Sequence, residues 1–301
     1  MGNNFDTLPK VFGYGGIDSL AKTRTAVEDL ITCLPHLPFS GQIIIKPNLC
    51  TAEIEKVIAA NTHPWLIQAV VEALRDRSAI VKIVECGAPR HSAWDAFRAT
   101  GIDNYPERYG INLVALDEVP TKKVNHPLMG LIELPTQLDD ADLVITMPVI
   151  KTHALTYYTG GIKNLWGCVP RPDRIKWHYV IVPYLMFLLR EIKPGLSITD
   201  GIVGMDKRGP TNGRERKLGI ILASTDIVAN DCAAMELVGL EPRLCEHIIQ
   251  CSKEGLGSLR YVFEWRGENW NLEAYGGSFE PARLDWALRL MNYMTRYDWF
   301  H

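Results

Sequence analysis

Short, continuous apolar runs alternate along the chain with longer stretches whose apolar residues return every three or four positions. The runs 42–45 (QIII), 79–84 (AIVKIV), 111–116 (INLVAL), 143–147 (LVITM), 196–199 (LSIT) and 218–223 (LGIILA) are aliphatic and rich in β-branched residues. Such runs are expected of strands buried on both faces of a sheet. Helical periodicity predicts helices over 18–33, 64–76, 92–100, 179–191, 227–238 and 243–254. The helix between the first and second runs is punctuated clearly: Thr62 is a candidate cap and Pro64 falls in the first turn. The alternation predicts an α/β fold, a mainly parallel, Rossmann-like β-sheet flanked by helices, with a C-terminal helical extension.

The boundaries follow from where the pattern changes. Residues 1–255 read as an α/β domain, with two lobes split near 125 as the alternative, and 256–301 as an extension. Turn signals after 256 give way at about 281 to an amphipathic pattern with Leu284, Leu288 and Met291 on one side. A helix of this kind docks on its own domain or makes a subunit contact, which would be a homodimer.

Composition narrows the class. Across 301 residues, 47 % hydrophobic and 22 % charged content is that of a soluble globular protein. A net charge of -3 gives no reason to expect a nucleic-acid partner. No run approaches the roughly 20 apolar residues of a spanning helix. The apolar stretch from Tyr179 to Leu189 is too short and contains Pro183, and the first residues lack the basic-then-apolar order of a signal peptide. A cytoplasmic protein without membrane insertion is the expectation. The seven cysteines show no Cys-x-x-Cys spacing and read as reduced core thiols.

The candidate chemistry lies just after the runs. Lys46 and Asn48 follow the first, Glu85 the second, Lys151 and His153 the fourth, Asp200 the fifth and Asp226 the sixth. In an open parallel sheet the carboxyl ends of the strands share one rim, and ligands bind in the crevice there. Lys46 and Lys151 emerge from apolar surroundings and so demand an anionic partner or a depressed pKa. His153, two residues beyond Lys151, shares a face with it if the segment is extended. Asn164 follows a glycine pair that lets backbone approach a ligand. Trp166, Trp177, Tyr157 and Tyr158 can wall the same region. Bland alternatives stand beside each: Asp226 as a helix cap, Asp200 as a turn residue, Lys46 as half of a structural ion pair. The glycines of FGYGGID (12–18) have no apolar strand leading into them and fail as a dinucleotide fingerprint, and no Gly-x-Ser-x-Gly elbow is present. The histidines lack i, i+4 spacing, so no metal site is expected.

The segments IIIKPNLC, VECGAPR, MPVIKTHALTYYTGGIKNLWG, ITDGIVGMDKRGPTNG and LASTDIVANDCAAMELVG, in this order, resemble the domain of unknown function 362 family. The resemblance runs from about Lys46 to Gly239. Carried over residue by residue, it points to Lys46, Asn48, Lys151, His153, Lys163, Asn164, Asp200, Asp226 and Asp231. The chain departs from many members by lacking a ferredoxin-like insertion with clustered cysteines, so no iron–sulfur cluster is expected; any other cofactor is left unknown. Lysine and histidine beside an α/β crevice also mark the lactate racemase family, but no motif here carries that comparison.

The functional expectation is an enzyme acting on a small anionic or carbonyl-bearing molecule by proton transfer, as an isomerase, lyase or cyclase. Lys46 and Lys151 would hold the anion or a developing oxyanion, and His153 would be the acid or base. Asn48, Glu85, Lys163, Asn164, Trp166, His178, Asp200 and Asp226 would bind substrate. A redox or metal-cofactor enzyme using Lys151 and His153, and a non-catalytic ligand-binding protein, are the alternatives.

Overall fold

The computed structural model describes residues 8–126 and 129–282. The amphipathic pattern with Leu284, Leu288 and Met291 lies outside the described residues. In chain order the elements are β1 (Lys10–Gly15), α1 (Leu20–Cys33), β2 (Gln42–Pro47), α2 (Val57–Ala60), α3 (Pro64–Arg75), β3 (Ile80–Glu85), α4 (Ala93–Thr100), α5 (Tyr105–Tyr109) and β4 (Asn112–Ala115). There follow β5 (Thr121–His126), β6 (Gly130–Pro135), β7 (Leu143–Met147), β8 (Val149–His153), β9 (Tyr157–Tyr158), α6 (Gly160–Asn164) and α7 (Ile181–Ile192). The last are β10 (Leu196–Asp206), β11 (Arg214–Ser224), α8 (Ile227–Leu237), α9 (Glu246–Lys253) and β12 (Val262–Gly267).

The main sheet runs in the order β12-β1-β11-β10-β7-β2-β3-β4, and strands from both sides of residue 125 share it. The pairs from β10 through β4 are parallel, whereas β11 is antiparallel to both β10 and β1. The β5–β6 hairpin is a separate two-stranded sheet. Side chains on successive strand residues point to opposite faces, and the core divides accordingly. Ile43, Ile45 and Ile145 pack with Val27, Leu66 and Val70 on one face; Ile44 and Val144 pack with Leu185, Leu188 and Val228 on the other.

Two segments differ from the reading of the pattern. The stretch Lys10–Gly15 is a strand, buried between β11 and β12, although its glycines and aromatics do not resemble an aliphatic run. Residues 262–267, expected to be turns, form β12 in parallel with β1. The glycines of 12–18, expected to have no strand leading into them, lie within β1 and between it and α1.

Most consequential for the site is β10, eleven residues long. Its start pairs with β7 and its later part with β8, across a register shift between Gly201 and Val203. Pro148 separates β7 from β8 because it has no N–H for the ladder; its carbonyl accepts from the Asp200 N–H at 2.8 Å. Lys151 and His153 therefore sit in a second, fully buried strand, not in a loop at the mouth of the first. Among the described residues, no helix is long and apolar enough to cross a membrane.

Candidate functional site

The short helix α6 is what brings the site together. Gly160, at φ +69°, turns the chain out of β9, and the Asp231 carboxylate of α8 receives the next two N–H groups, from Gly161 at 2.6 Å and Ile162 at 3.1 Å. These are orphan donors of a helix start, and a carboxylate is their natural partner. Burial raises the Asp231 carboxyl to about 7, against the pull of those two bonds. At the other end of α6 the Asn164 amide donates to the Lys46 carbonyl at 2.8 Å and to Thr146 Oγ1 at 2.9 Å. Asn164 thus ties α6 to β2 and β7, and Lys163 is held beside the ends of those strands.

Three lysines of this region have different partners. Lys46 Nζ donates to Glu85 Oε2 at 2.7 Å and to the Pro47 carbonyl at 2.5 Å, with 1 % of the lysine exposed. Glu85 also accepts from the N–H groups of Leu49 and Cys86. Gly167 closes over this pair; a Cβ there would lie 2.5 Å from Glu85 Oε1 and 2.8 Å from Lys46 Nζ. Lys46 and Glu85 are each other's hydrogen-bonded ion-pair partner, the structural alternative read for Lys46 from the sequence. Lys151 Nζ donates to the Ala60 carbonyl at 2.6 Å and to Cys50 Sγ at 3.2 Å. Lys163 is half-buried, and its Nζ has no hydrogen bond or ion pair among the described residues. Burial first, and Lys151 next to it, pull its ammonium down to about 7.

Histidines stand beside Lys163. The rings of His153 and His178 are parallel within 8°, with centroids 6.5 Å apart. His153 Nδ1 accepts from the N–H groups of Leu155 (3.1 Å) and Thr156 (3.3 Å), so a neutral His153 carries its proton on Nε2. His178 Nδ1 lies 3.0 Å from the Ile175 carbonyl, which can only accept, so Nδ1 carries the proton and Nε2 keeps a lone pair. Both rings are held neutral: His153 well below the usual histidine range by burial and then by Lys163, His178 down to about 4 by burial and then Lys163. One ring offers an N–H and the other an acceptor.

The remaining expected residues distribute unevenly. Asp200 is inside β10, not at a strand end; it accepts from the N–H groups of His63 (2.5 Å) and Ile202 (2.8 Å). Burial raises it to about 7, and the charge of Lys151 opposes that rise. Asn48 is half-buried beyond β2, with its backbone N–H bonded to Thr62 Oγ1. Trp166 is buried and meets His178 and Tyr184 edge-on. Trp177 lines a cleft of about 280 Å³ together with Lys123, Ile132, Glu133, Arg171 and Tyr184. Asp226 caps α8 through Ala229 N, the alternative read for it from the sequence, and also accepts from Ser258 N. Because β11 is antiparallel, it ends at Ser224 opposite Ser197, near the start of β10 and far along that strand from Met205, which pairs with Lys151.

Residues not singled out beforehand join the cluster. Cys50, grouped with the core thiols, is half-buried with its sulfur against Lys151 Nζ. Arg174 donates to the Gly87 carbonyl at 2.6 Å and adds positive charge near Lys163 and His178. His247 is buried, and its imidazolium is opposed by burial and by Lys163. The neighbourhood of Lys163 is therefore cationic in excess. All seven cysteines are free, and no group of three or more His, Cys, Asp and Glu that could hold a metal occurs among the described residues.

The family model of a domain of unknown function, DUF362, matches residues 43–236. The thylakoid-associated protein sll1697 of Synechocystis sp. (strain ATCC 27184 / PCC 6803 / Kazusa) is 28% identical over 241 residues, covering 74% of this chain and 71% of that protein. The structure of the lactate racemase apoprotein from Thermoanaerobacterium thermosaccharolyticum aligns with a TM-score of 0.49 at 13% identity. That alignment covers 77% of this chain and 56% of that one, so this chain spans little more than half of its length.

Proposed function

The chain belongs to the DUF362 family, and we propose that its site binds a small anionic, carbonyl-bearing molecule and moves a proton on it. The observation that supports this most is the pairing of opposite tautomers beside an unpartnered cation. His178 Nε2 takes a proton from the carbon next to the carbonyl. The enolate oxygen that develops is met by His153 Nε2–H and by the ammonium of Lys163. Lys151 and Arg174 add field without giving up their own hydrogen bonds. A bound anion raises the affinity of His178 and Lys163 for protons, since opposite charge favours the protonated form. Isomerisation or elimination fits this set.

Oxalate, a planar dianion resembling an enolised keto acid, is the probe. Its affinity is expected to tighten as pH falls through about 7, where Lys163 gains its charge. Calorimetric titration at about pH 6 and about pH 8 reads this, and Lys163→Met should weaken binding about tenfold and remove the pH dependence. Exchange of the methyl protons of pyruvate into D2O should fall by about 10²-fold or more in His178→Gln. Oxalate affinity that ignores both pH and Lys163→Met contradicts the anion site.

A further inference from the structure

Within the reading of a carbonyl-bearing ligand, on which this step rests, we propose that Lys163 forms a covalent imine with the ligand carbonyl. The choice among the lysines is geometric. Lys46 is sealed against Glu85 beneath Gly167, and Lys151 is held by the Ala60 carbonyl and Cys50. An amine held in this way lacks the freedom to attack. Lys163 is half-buried, its Nζ without a hydrogen-bond or ion-pair partner among the described residues, on a helix anchored at both ends by Asp231 and Asn164.

Its surroundings suit the chemistry. A lysine amine becomes nucleophilic at neutral pH when desolvated or placed next to another cation, and Lys163 has both conditions. The nitrogen lone pair bonds to the carbonyl carbon as the carbonyl π pair moves to oxygen, giving a carbinolamine. His153 Nε2–H hydrogen-bonds that oxygen, and the His178 Nε2 lone pair receives the proton shed by nitrogen. Departure of the oxygen as water, with net uptake of one proton, leaves a protonated imine. No atom is oxidised or reduced, and no further reactant is needed. The imine acidifies the neighbouring C–H, so an enamine takes the place of the enolate in the proposal above; His178 Nε2, free again once its proton has left with the water, takes the C–H proton.

The test uses the full wild-type chain with glyoxylate and pyruvate as probes and cyanoborohydride as trap, followed by peptide mass mapping. Oxalate binding is measured in parallel, because oxalate shares the charge but has no ketone or aldehyde. An adduct on Lys163 at least about tenfold above any other lysine at about pH 7 is expected, where ordinary lysines are protonated. Lys163→Arg should abolish that adduct while retaining oxalate binding. The initial rate of adduct formation should rise with pH through about 7, as the amine is freed, and Lys151→Met should move that midpoint upward. Oxalate binding with no preferred adduct at Lys163 overturns the imine and leaves the anion site standing. An adduct at Lys163 without oxalate binding supports the imine and overturns the anion site. Failure of both overturns both.

Discussion

Lys46→Met is expected to lower the stability of the fold by about 3–5 kcal/mol, because it leaves the Glu85 charge buried without its partner. The pair is enclosed: 1 % of the lysine and 3 % of the glutamate are exposed. Water cannot replace Lys46 Nζ while Gly167 lies over the site. The two N–H bonds from Leu49 and Cys86 remain on Glu85 and are insufficient to offset an uncompensated buried charge. Glu85→Gln in the same chain should recover most of the loss, since a neutral amide needs no counter-charge. Urea unfolding of the two single variants and the double variant gives the coupling directly. Additive losses would show that Lys46 and Glu85 do not act as a pair.

Removal of the α6 anchor ranks next. Asp231→Ala strips the acceptor from two buried donors, Gly161 N–H and Ile162 N–H, at about 1–3 kcal/mol each. Gly160→Ala attacks the same contact from the other side. Its Cβ would lie 2.5 Å from the Asp231 carboxyl atoms, at a φ of +69° that disfavours any residue with a Cβ. Each single change is expected to cost several kcal/mol, about 2–5, and to loosen Lys163. The combination should cost less than the sum, because Asp231→Ala clears the space that the new methyl needs. A full sum in chemical denaturation would mean that the carboxylate does not occupy the position next to Gly160.

Much of the sheet could be read from the chain because strands buried on both faces must be apolar throughout, as at 42–45 and 143–147. β1 escaped that logic: KVFGYG is buried by tertiary packing between two neighbours and has little intrinsic strand signature. The site was legible where its members are close in sequence. Lys151, His153, Lys163, Asn164, Trp166 and His178 fall within one stretch, and the fold places them around α6 and β8. Partners distant in sequence were not. Nothing near Lys46 announces that residue 85 will neutralise it, and nothing near Cys50 announces the amine of Lys151. The antiparallel direction of β11 is likewise invisible, because an apolar run does not encode its direction.

The state of Lys163 bears most directly on the whole proposal, and NMR of lysine labelled with ¹⁵N at the side-chain nitrogen reports it. One ammonium resonance, absent in Lys163→Arg, is expected to titrate with a midpoint of about 7 and to shift upward when oxalate is added. If every lysine instead titrates together near the ordinary value of about 10.4, and oxalate moves none of them, Lys163 is a solvated surface residue and the site has no free cation to offer.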